Sequence, residues 1–285
     1  MTTLAEQQTT LVIGGTGKTG RRVARRLGAL GVPTRLGTRT GAPPFDWQAR
    51  DTWGPALTGV RSAYLCYSPD VAAPGAADTI GDLAALAVRR GVRRLVLLSG
   101  RGDAEARRAE LAVQRSGAAW TVVRSSWFAQ NFSEGMFGPA VLRGEVALPV
   151  DGVPEPFVDV GDVAEVAAAA LTGDGHDGQV YEVTGPRLLT FADAVGEVAR
   201  ASGRDVRFRT VTLTELEAGL AAQGVPAPAI DLTRHLFTDV LDGRNASLAD
   251  GVQRALGREP RDFADYARAA AAAGAWDAAP AGRVA

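Results

Sequence analysis

Short apolar runs alternate with amphipathic stretches from the N-terminus to about residue 124. The apolar runs are rich in Val, Leu and Ile, which is typical of buried strands. Between them apolar residues recur at helical spacing, as at Val23, Leu27 and Leu30. Strands that alternate with helices indicate βαβ units, a parallel sheet and right-handed crossovers. The predicted strands are 10–13, 33–38, 61–67, 93–99 and 119–124, and the predicted helices are 21–30, 75–90 and 103–116.

The pattern changes after residue 124, where an aromatic segment with Gly and Pro (SSWFAQNFSEGMFGP, 125–139) replaces the alternation. We therefore predict an α/β fold, a Rossmann-type doubly wound parallel sheet followed by a smaller, mostly helical C-terminal lobe. The expected domains are 1–150, with parts of 151–185 returning to it, and 186–285. Later elements are a helix at 161–171, a strand at 180–184, helices at 190–202, 213–222, 226–241, 246–256 and 261–273, and a frayed tail at 277–285.

The composition and net charge of the chain indicate which kinds of partner to expect. Hydrophobic residues make up 46% of the 285 residues and charged residues 22%, and the net charge is −1, so no bulk charge attracts nucleic acid or an anionic membrane. Cys66 is the only cysteine, which excludes an internal disulfide and fits a cytoplasmic location. No apolar run is long enough to span a membrane, and residues 1–10 lack the features of a signal peptide. The expected partner is a small molecule, and the oligomeric state stays open.

A glycine-rich loop separates the first strand from the first helix. Gly14 allows a tight turn, Gly17 allows backbone amides to approach a pyrophosphate, and Gly20 allows the helix to pack closely on the strand. The start of the helix offers N–H groups and a positive dipole end to phosphates. A nucleotide-hydrolysing P-loop is excluded because it needs glycine six residues before its lysine, where Val12 stands. The loop predicts dinucleotide binding by Gly14, Gly15, Thr16, Gly17, Lys18, Thr19 and Gly20.

The end of the second strand indicates which dinucleotide is bound. An NAD site places a carboxylate here to bind the ribose hydroxyl, yet no acid occurs between residues 21 and 45. Arg39 offers a guanidinium for a 2′-phosphate, and Thr38 and Thr40 offer hydroxyls. The alternative is an ordinary solvated arginine. We expect the cofactor to be NADP(H).

Several segments together resemble a known family. They are the loop GGTGKTG, LVLLSGRG (95–102), WTVVRSSWFAQNF (120–132), PFVDVGDVAEVA (156–167) and VYEVTGP (180–186). In this order and spacing they resemble the NmrA-like group of atypical short-chain dehydrogenases/reductases, over about residues 10–273. The group includes NADPH-dependent quinone reductases, and also proteins that bind NADP without turnover and act as redox-sensing regulators.

The resemblance implies roles for particular residues. Arg39 and the glycine loop, Thr16 to Thr19, would hold the pyrophosphate and the adenosine end of the cofactor. Asp46 and Trp47, after a short third strand, would lie near the adenine. The nicotinamide half would be lined by Tyr67, Ser68 and Ser99 and flanked by Ser126, Trp127 and Phe128.

The sequence departs from the dehydrogenases that use a Tyr-x-x-x-Lys pair, in which lysine lowers the tyrosine pKa for proton transfer. The residues four positions after the four tyrosines are Ser68, Val71, Gly185 and Ala270, and Lys18 is the only lysine. This argues against ordinary alcohol dehydrogenation. Hydride transfer remains feasible because the nicotinamide supplies the hydride, and an electron-poor acceptor takes its proton from water.

Two polar residues are candidates for a direct catalytic role. Ser99 ends a buried strand and equally suits a helix or turn cap. Asn131 follows the aromatic run and could present an amide to a substrate carbonyl, although such an asparagine more often caps a turn. Asp162 is expected to cap a helix, and His176 and His235 to be surface or lobe residues. Trp127, Phe128, Phe132 and Phe137 form either an aromatic pocket or plain core.

Three functions fit these observations. The first is an NADPH-dependent reductase of a small quinone, carbonyl or conjugated acceptor. The second is a non-catalytic NADP(H)-sensing regulator. The third, a sugar-nucleotide enzyme, is disfavoured by the missing Tyr/Lys pair.

Overall fold

A computed structural model describes residues 9–277, which group in two compact units. The first unit contains the described residues up to Ser125 together with Val160–Val183 and Ala249–Glu259. The second contains Ser126–Asp159, Thr184–Leu248 and the described residues from Pro260 onward. The chain thus returns to the first unit twice, at Val160–Val183, which lies within the range 151–185 given above, and at Ala249–Glu259. The expected tail lies outside the described residues, apart from Asp277.

The first unit is built on a parallel sheet of the predicted kind. Its six strands follow the order β2-β1-β3-β4-β5-β7, and every neighbouring pair is parallel, which confirms the doubly wound fold. The eight strands of the described chain are β1 (Thr9–Ile13), β2 (Thr34–Gly37), β3 (Val60–Leu65), β4 (Arg94–Gly100), β5 (Ala119–Ser125), β6 (Glu145–Leu148), β7 (Gln179–Val183) and β8 (Arg207–Thr210).

Helices flank this sheet and fill the second unit. The helices are α1 (Gly20–Ala29), α2 (Trp53–Leu57), α3 (Ala76–Arg89), α4 (Ala104–Gln114), α5 (Asn131–Glu134), α6 (Gly138–Arg143), α7 (Val160–Thr172), α8 (Phe191–Ser202), α9 (Leu213–Ala222), α10 (Ala227–His235), α11 (Gly251–Leu256) and α12 (Phe263–Ala272). A 3-10 turn at Arg50–Thr52 precedes α2, and a π-helical turn at Leu236–Val240 follows α10. Across residues 9–277, we find no helix whose length and apolar character would let it cross a membrane.

The core of the first unit is mainly aliphatic. Leu95, Val96 and Leu97 of β4 are all fully buried, as expected of a central parallel strand covered on both faces. Alanines on α3 let that helix approach the sheet closely, and Ile80 and Leu83 fill the space between them.

The second unit has a small parallel sheet of β6 and β8 and a core of aromatic rings. Neither strand was predicted from the sequence, because four residues are too few to show a period. The helix predicted at 226–241 ends at His235, where the π turn begins.

Three local expectations were wrong. No strand precedes Asp46 and Trp47 after β2, because the prolines at 43 and 44 cannot donate ladder hydrogen bonds, and only a bridge from Asp46 to Ala49 forms. The helix predicted from residue 246 begins at Gly251, where a Cβ would lie 2.1 Å from the Glu182 carbonyl oxygen. Asp162 lies inside the first turn of α7 and forms an ion pair with Arg258 at 2.7 Å, so it is not the cap of that helix.

Candidate dinucleotide site

The glycine loop connects β1 to α1 within the first unit. Gly14 has φ of +71°, a conformation that favours glycine, and its N–H donates to Gly37 O at 3.0 Å. At Gly20 a Cβ would lie 2.2 Å from Gly14 O, so only glycine lets α1 pack against the loop. At Gly17 an added Cβ would meet only Gly14 O, at 3.1 Å, and otherwise open space. The geometry therefore suits a turn at Gly14, space for a ligand at Gly17 and a close packing contact at Gly20.

The first turn of α1 is suited to an anion. Its N-cap residue, Thr19, makes no side-chain capping bond, and the first turn contains no acidic residue. The Thr19 hydroxyl instead donates to Cys66 Sγ at 3.7 Å. The positive end of the helix dipole is thus compensated neither by a capping oxygen nor by a carboxylate of its own helix, and a phosphate would do both.

Arg39 follows β2 and is exposed. Its guanidinium makes no hydrogen bond and no ion pair with any part of the chain from residue 9 to residue 277. Thr38 accepts hydrogen bonds at its carbonyl oxygen from Gly41 N and Phe45 N, which fixes the turn that carries Arg39. A cationic group is therefore available beside the strand end without first breaking an ion pair.

Asp46 and Trp47 lie close to the carboxyl end of β3. The indole N–H of Trp47 donates to Cys66 O at 3.0 Å, and its ring centroid lies 4.9 Å from that of Tyr67. Trp47 is only 7% exposed and packs in the aliphatic core. Asp46 Oδ1 accepts from Gln48 N at 3.0 Å and stabilises a turn. Both residues therefore have structural contacts beside any role with a ligand.

The glycine loop and the β3 end lie together. A Cβ at Gly14 would contact Cys66 Cβ at 3.5 Å. Tyr67 is half-buried, and Ser68 is exposed. Burial raises the pKa of the Cys66 thiol and, more strongly, that of Tyr64, so both groups stay protonated near neutral pH. Neither supplies acid–base chemistry at this edge.

Ser99, on β4, is 1% exposed and donates from Oγ to Glu110 Oε1 at 2.7 Å. Glu110, on α4, is fully buried and accepts two hydrogen bonds from Arg124 and one from Arg107. Burial acts to raise the pKa of the Glu110 carboxyl, but the hydrogen bonds from Arg124, Ser99 and Arg107 outweigh it and the pKa is lowered. The Ser99 hydroxyl thus donates its hydrogen to the Glu110 carboxylate.

Arg124 extends this network along the strand ends. Its Nη1 donates to Glu182 Oε1 at 2.5 Å, and the two carboxylates together raise its pKa. Sequence reasoning missed Glu110 and Arg124, although an arginine inside the apolar run WTVVRSS was a signal that a buried acid must lie nearby.

In the second unit, the segment from Ser126 to Asn131 is held against residues 156–159. Ser126 Oγ donates to Pro156 O at 2.6 Å, and Val158 N donates to Trp127 O at 2.9 Å. Phe128 forms a parallel bridge with Val158. Asn131 begins α5, where its carbonyl oxygen accepts from Phe137 N at 3.0 Å.

The remaining candidates have partners elsewhere. His176 Nδ1 lies 2.8 Å from Tyr181 OH, and His235 Nδ1 lies 3.2 Å from Asp239. Phe132 and Phe137 are buried in the core of the second unit. No group of acids, histidines and cysteine suited to a metal occurs among residues 9–277.

Known proteins resemble this chain in sequence and in fold. No family model matches the chain. The NAD(P)H azoreductase of Xenophilus azovorans is 32% identical over 288 residues, covering 92% of this chain and 98% of that enzyme. The triphenylmethane reductase of Citrobacter sp., solved with NADP(H), shares the fold with a TM-score of 0.74 at 18% identity, covering 92% and 99% of the two chains.

A third relative is the negative transcriptional regulator NmrA, solved with NAD, whose fold matches with a TM-score of 0.67 at 17% identity, covering 92% of this chain and 95% of that one. The expected family is confirmed by the identity to the azoreductase over nearly the full length of both chains and by the fold shared with NmrA. The chain belongs to the NmrA-like family of atypical short-chain dehydrogenases/reductases.

Proposed function

We propose that this protein is an NADP(H)-dependent oxidoreductase that reduces a small quinone, carbonyl or conjugated acceptor without a Tyr-x-x-x-Lys pair. The observation that carries the proposal is the glycine loop, with open space at Gly17 and no side-chain cap on α1, together with an exposed Arg39 that has no hydrogen bond or ion pair within residues 9–277. These are the features that a pyrophosphate and a 2′-phosphate require.

The residues present fit this cofactor. Thr16, Gly17, Lys18 and Thr19 are proposed to hold the pyrophosphate, and Arg39 the 2′-phosphate. Gly14, Gly15 and Gly20 shape the loop. On the family resemblance, the remaining proposed contacts are Asp46 and Trp47 at the adenosine end, Tyr67, Ser68 and Ser99 toward the nicotinamide, and Ser126, Trp127 and Phe128 beside it.

Ser99 is proposed to position the strand end rather than to donate a proton. Its hydroxyl hydrogen is held by the Glu110 carboxylate, so only its oxygen lone pairs remain to accept a hydrogen bond. Asn131 remains the candidate for an amide hydrogen bond to the acceptor. With Lys18 in the glycine loop as the only lysine, no lysine assists proton transfer.

When bound, NADPH supplies a hydride, which is two electrons and one proton, to the acceptor and becomes NADP⁺. A quinone then takes one further proton from water and becomes the hydroquinone. The names of two relatives, an azoreductase and a triphenylmethane reductase, support a conjugated acceptor. The second candidate, a regulator that binds the cofactor without turnover, is an outcome of the same experiment.

The test is the consumption of NADPH in the presence of a naphthoquinone, an azo dye and a simple aldehyde. We expect oxidation of NADPH with at least one of these acceptors, and the comparison with the aldehyde shows whether an unconjugated carbonyl is also reduced. The variant Gly17→Val is the control, because it should keep the fold and lose cofactor binding. Tight NADPH binding with no turnover of any acceptor would favour the regulator, and absence of NADPH binding would refute the proposed site.

A further inference from the structure

The core of the second unit is a cluster of aromatic rings. Phe132 is fully buried, and its ring lies within 5.1–6.3 Å of the rings of Phe137, Phe157, Phe191 and Phe263. At one side of this cluster lies Trp127. Its ring is stacked on Phe137 at 6.3 Å and meets Phe191 edge-on at 5.5 Å and Phe237 at 5.4 Å. Three neighbours thus fix the plane of the Trp127 ring.

Trp127 differs from the other tryptophan of the cluster. Trp276 is 2% exposed, and its indole N–H donates to Phe132 O at 2.8 Å. Trp127 is only half-buried, and its indole N–H donates no hydrogen bond within residues 9–277. A tryptophan that serves only as core is expected to bury its ring and satisfy its N–H, as Trp276 does. Trp127 does neither.

The backbone at Trp127 is also fixed. Val158 N donates to Trp127 O, and Ala129 N donates to Val158 O, each at 2.9 Å. A ring held at its backbone and by three other rings loses little conformational entropy when a ligand stacks on it. Such preorganisation increases the affinity obtained from a given contact area.

We infer that Trp127 is a specificity-determining residue whose exposed part binds the flat face of an aromatic acceptor. The inference rests on the proposed function and adds the group that selects the acceptor. It assigns the preference for planar conjugated molecules to a stacking contact in the second unit. The preference does not depend on a proton-donating side chain.

The experiment compares an aromatic acceptor, a naphthoquinone, with a small non-aromatic enone, cyclohexenone, in the full-length protein. We expect Trp127→Leu to raise the KM and the Kd for the naphthoquinone by about 3- to 10-fold more than it raises the same constants for cyclohexenone, which is the effect of one aromatic stacking contact. Trp127→Phe retains a flat ring and should restore most of the affinity for the naphthoquinone.

The matched control is Trp120 of the first unit, which is also half-buried and whose indole N–H likewise donates to no described residue. Unlike Trp127, it makes no ring contact within residues 9–277, so its ring is not held in a fixed plane for a ligand. Trp120→Phe and Trp120→Leu should leave both acceptors unaffected. Trp127→Leu that weakens both acceptors equally, or neither, would overturn the inference.

Binding and turnover separate this inference from the proposed function. Kd is measured by calorimetric titration, which needs no reaction. Naphthoquinone binding that depends on Trp127, without any turnover, would leave the stacking site standing and refute the reductase. Turnover of the naphthoquinone with a KM that does not depend on Trp127 would support the reductase and refute the stacking site.

Discussion

The two units of this protein are stabilised by different kinds of core. In the first, aliphatic strand residues such as Leu95 and Leu97 are covered by helices that follow at short sequence distances. In the second, Phe132 packs on Phe263, and its carbonyl accepts from Trp276, partners more than a hundred positions away. Regular alternation produces the first core, whereas ring contacts between distant segments produce the second.

The units also differ in how they handle charge. In the first, Glu110 is fully buried and pairs with Arg124, which is 18% exposed. In the second, the pair of Arg187 and Asp262 lies at a partly exposed position. A buried charge depends strictly on its partner, whereas an exposed pair contributes little. Loss of the Glu110 carboxylate should therefore cost more stability than loss of the pair of Arg187 and Asp262.

The largest expected effect tests whether a substitution in one core destabilises only the unit that contains it. Phe132→Ala should destabilise the protein by about 3–5 kcal/mol, and Leu97→Ala, in the first unit, by about 2–5 kcal/mol. Hydrogen exchange read by mass spectrometry should show lost protection in α8 and α12 for Phe132→Ala, and in β3 to β5 for Leu97→Ala. Equal loss of protection in both units for either variant would contradict this expectation.

The next effect concerns the buried charge network. Glu110→Gln should cost about 3 kcal/mol, because it replaces the fully buried carboxylate that accepts two hydrogen bonds from Arg124, one from Arg107 and one from Ser99. The folded-state pKa of Glu110 is lowered, so the unfolded chain binds the proton first as the pH falls. The carboxylate therefore stabilises the fold above the unfolded pKa, about 4.3, and loses that contribution as the pH falls from there toward the lower folded pKa.

Denaturant titrations between neutral pH and about pH 3 measure this prediction. The parent protein should lose part of its free energy of unfolding in the acid range that Glu110→Gln does not lose. Arg187→Gln, in the second unit, is the comparison, because its pair with Asp262 is partly exposed and should contribute less. Parallel pH profiles for the parent and Glu110→Gln would show that Glu110 is not held as a carboxylate.

A smaller effect separates packing from ligand binding within the glycine loop. Gly20→Ala places a Cβ 2.2 Å from Gly14 O and should destabilise the first unit by about 2 kcal/mol, since α1 must shift. Gly17→Ala meets only the 3.1 Å contact, so it should keep the stability of the parent and lose affinity for the dinucleotide. The stability of each variant is measured by thermal unfolding and its affinity for the dinucleotide by titration. If the two variants lose stability and affinity to the same extent, Gly17 and Gly20 do not have different roles.

Much of the first unit was predictable because its signals are local. Every strand predicted there from the apolar pattern lies within two residues of an observed one, although the short strand that the resemblance implied before Asp46 is absent. The spacing of Gly14, Gly17 and Gly20 predicts the turn, the open position and the close packing. Burial of Glu110 was not predictable, since an acid on an amphipathic helix normally faces solvent.

The second unit was harder to predict for physical reasons. The strand β6 has only four residues, and its partner β8 follows after more than fifty. The aromatic segment predicted either a pocket or plain core, and the structure divides it: Phe132 and Phe137 are core, while Trp127 keeps a partly exposed ring. Such a division depends on rings from distant helices and leaves no periodic signal.

The central claim, that the first unit binds NADP(H) through the glycine loop and Arg39, is tested most directly by titrating NADPH and NADH against the parent and Arg39→Ala. A planar guanidinium binds phosphate oxygens with two parallel hydrogen bonds, and Arg39 has no ion pair to break within residues 9–277. We predict that the parent binds NADPH at least about tenfold more tightly than NADH, and that Arg39→Ala removes most of this difference by weakening NADPH alone. Equal affinities in the parent, or an Arg39→Ala variant that weakens both cofactors equally, would contradict the claim.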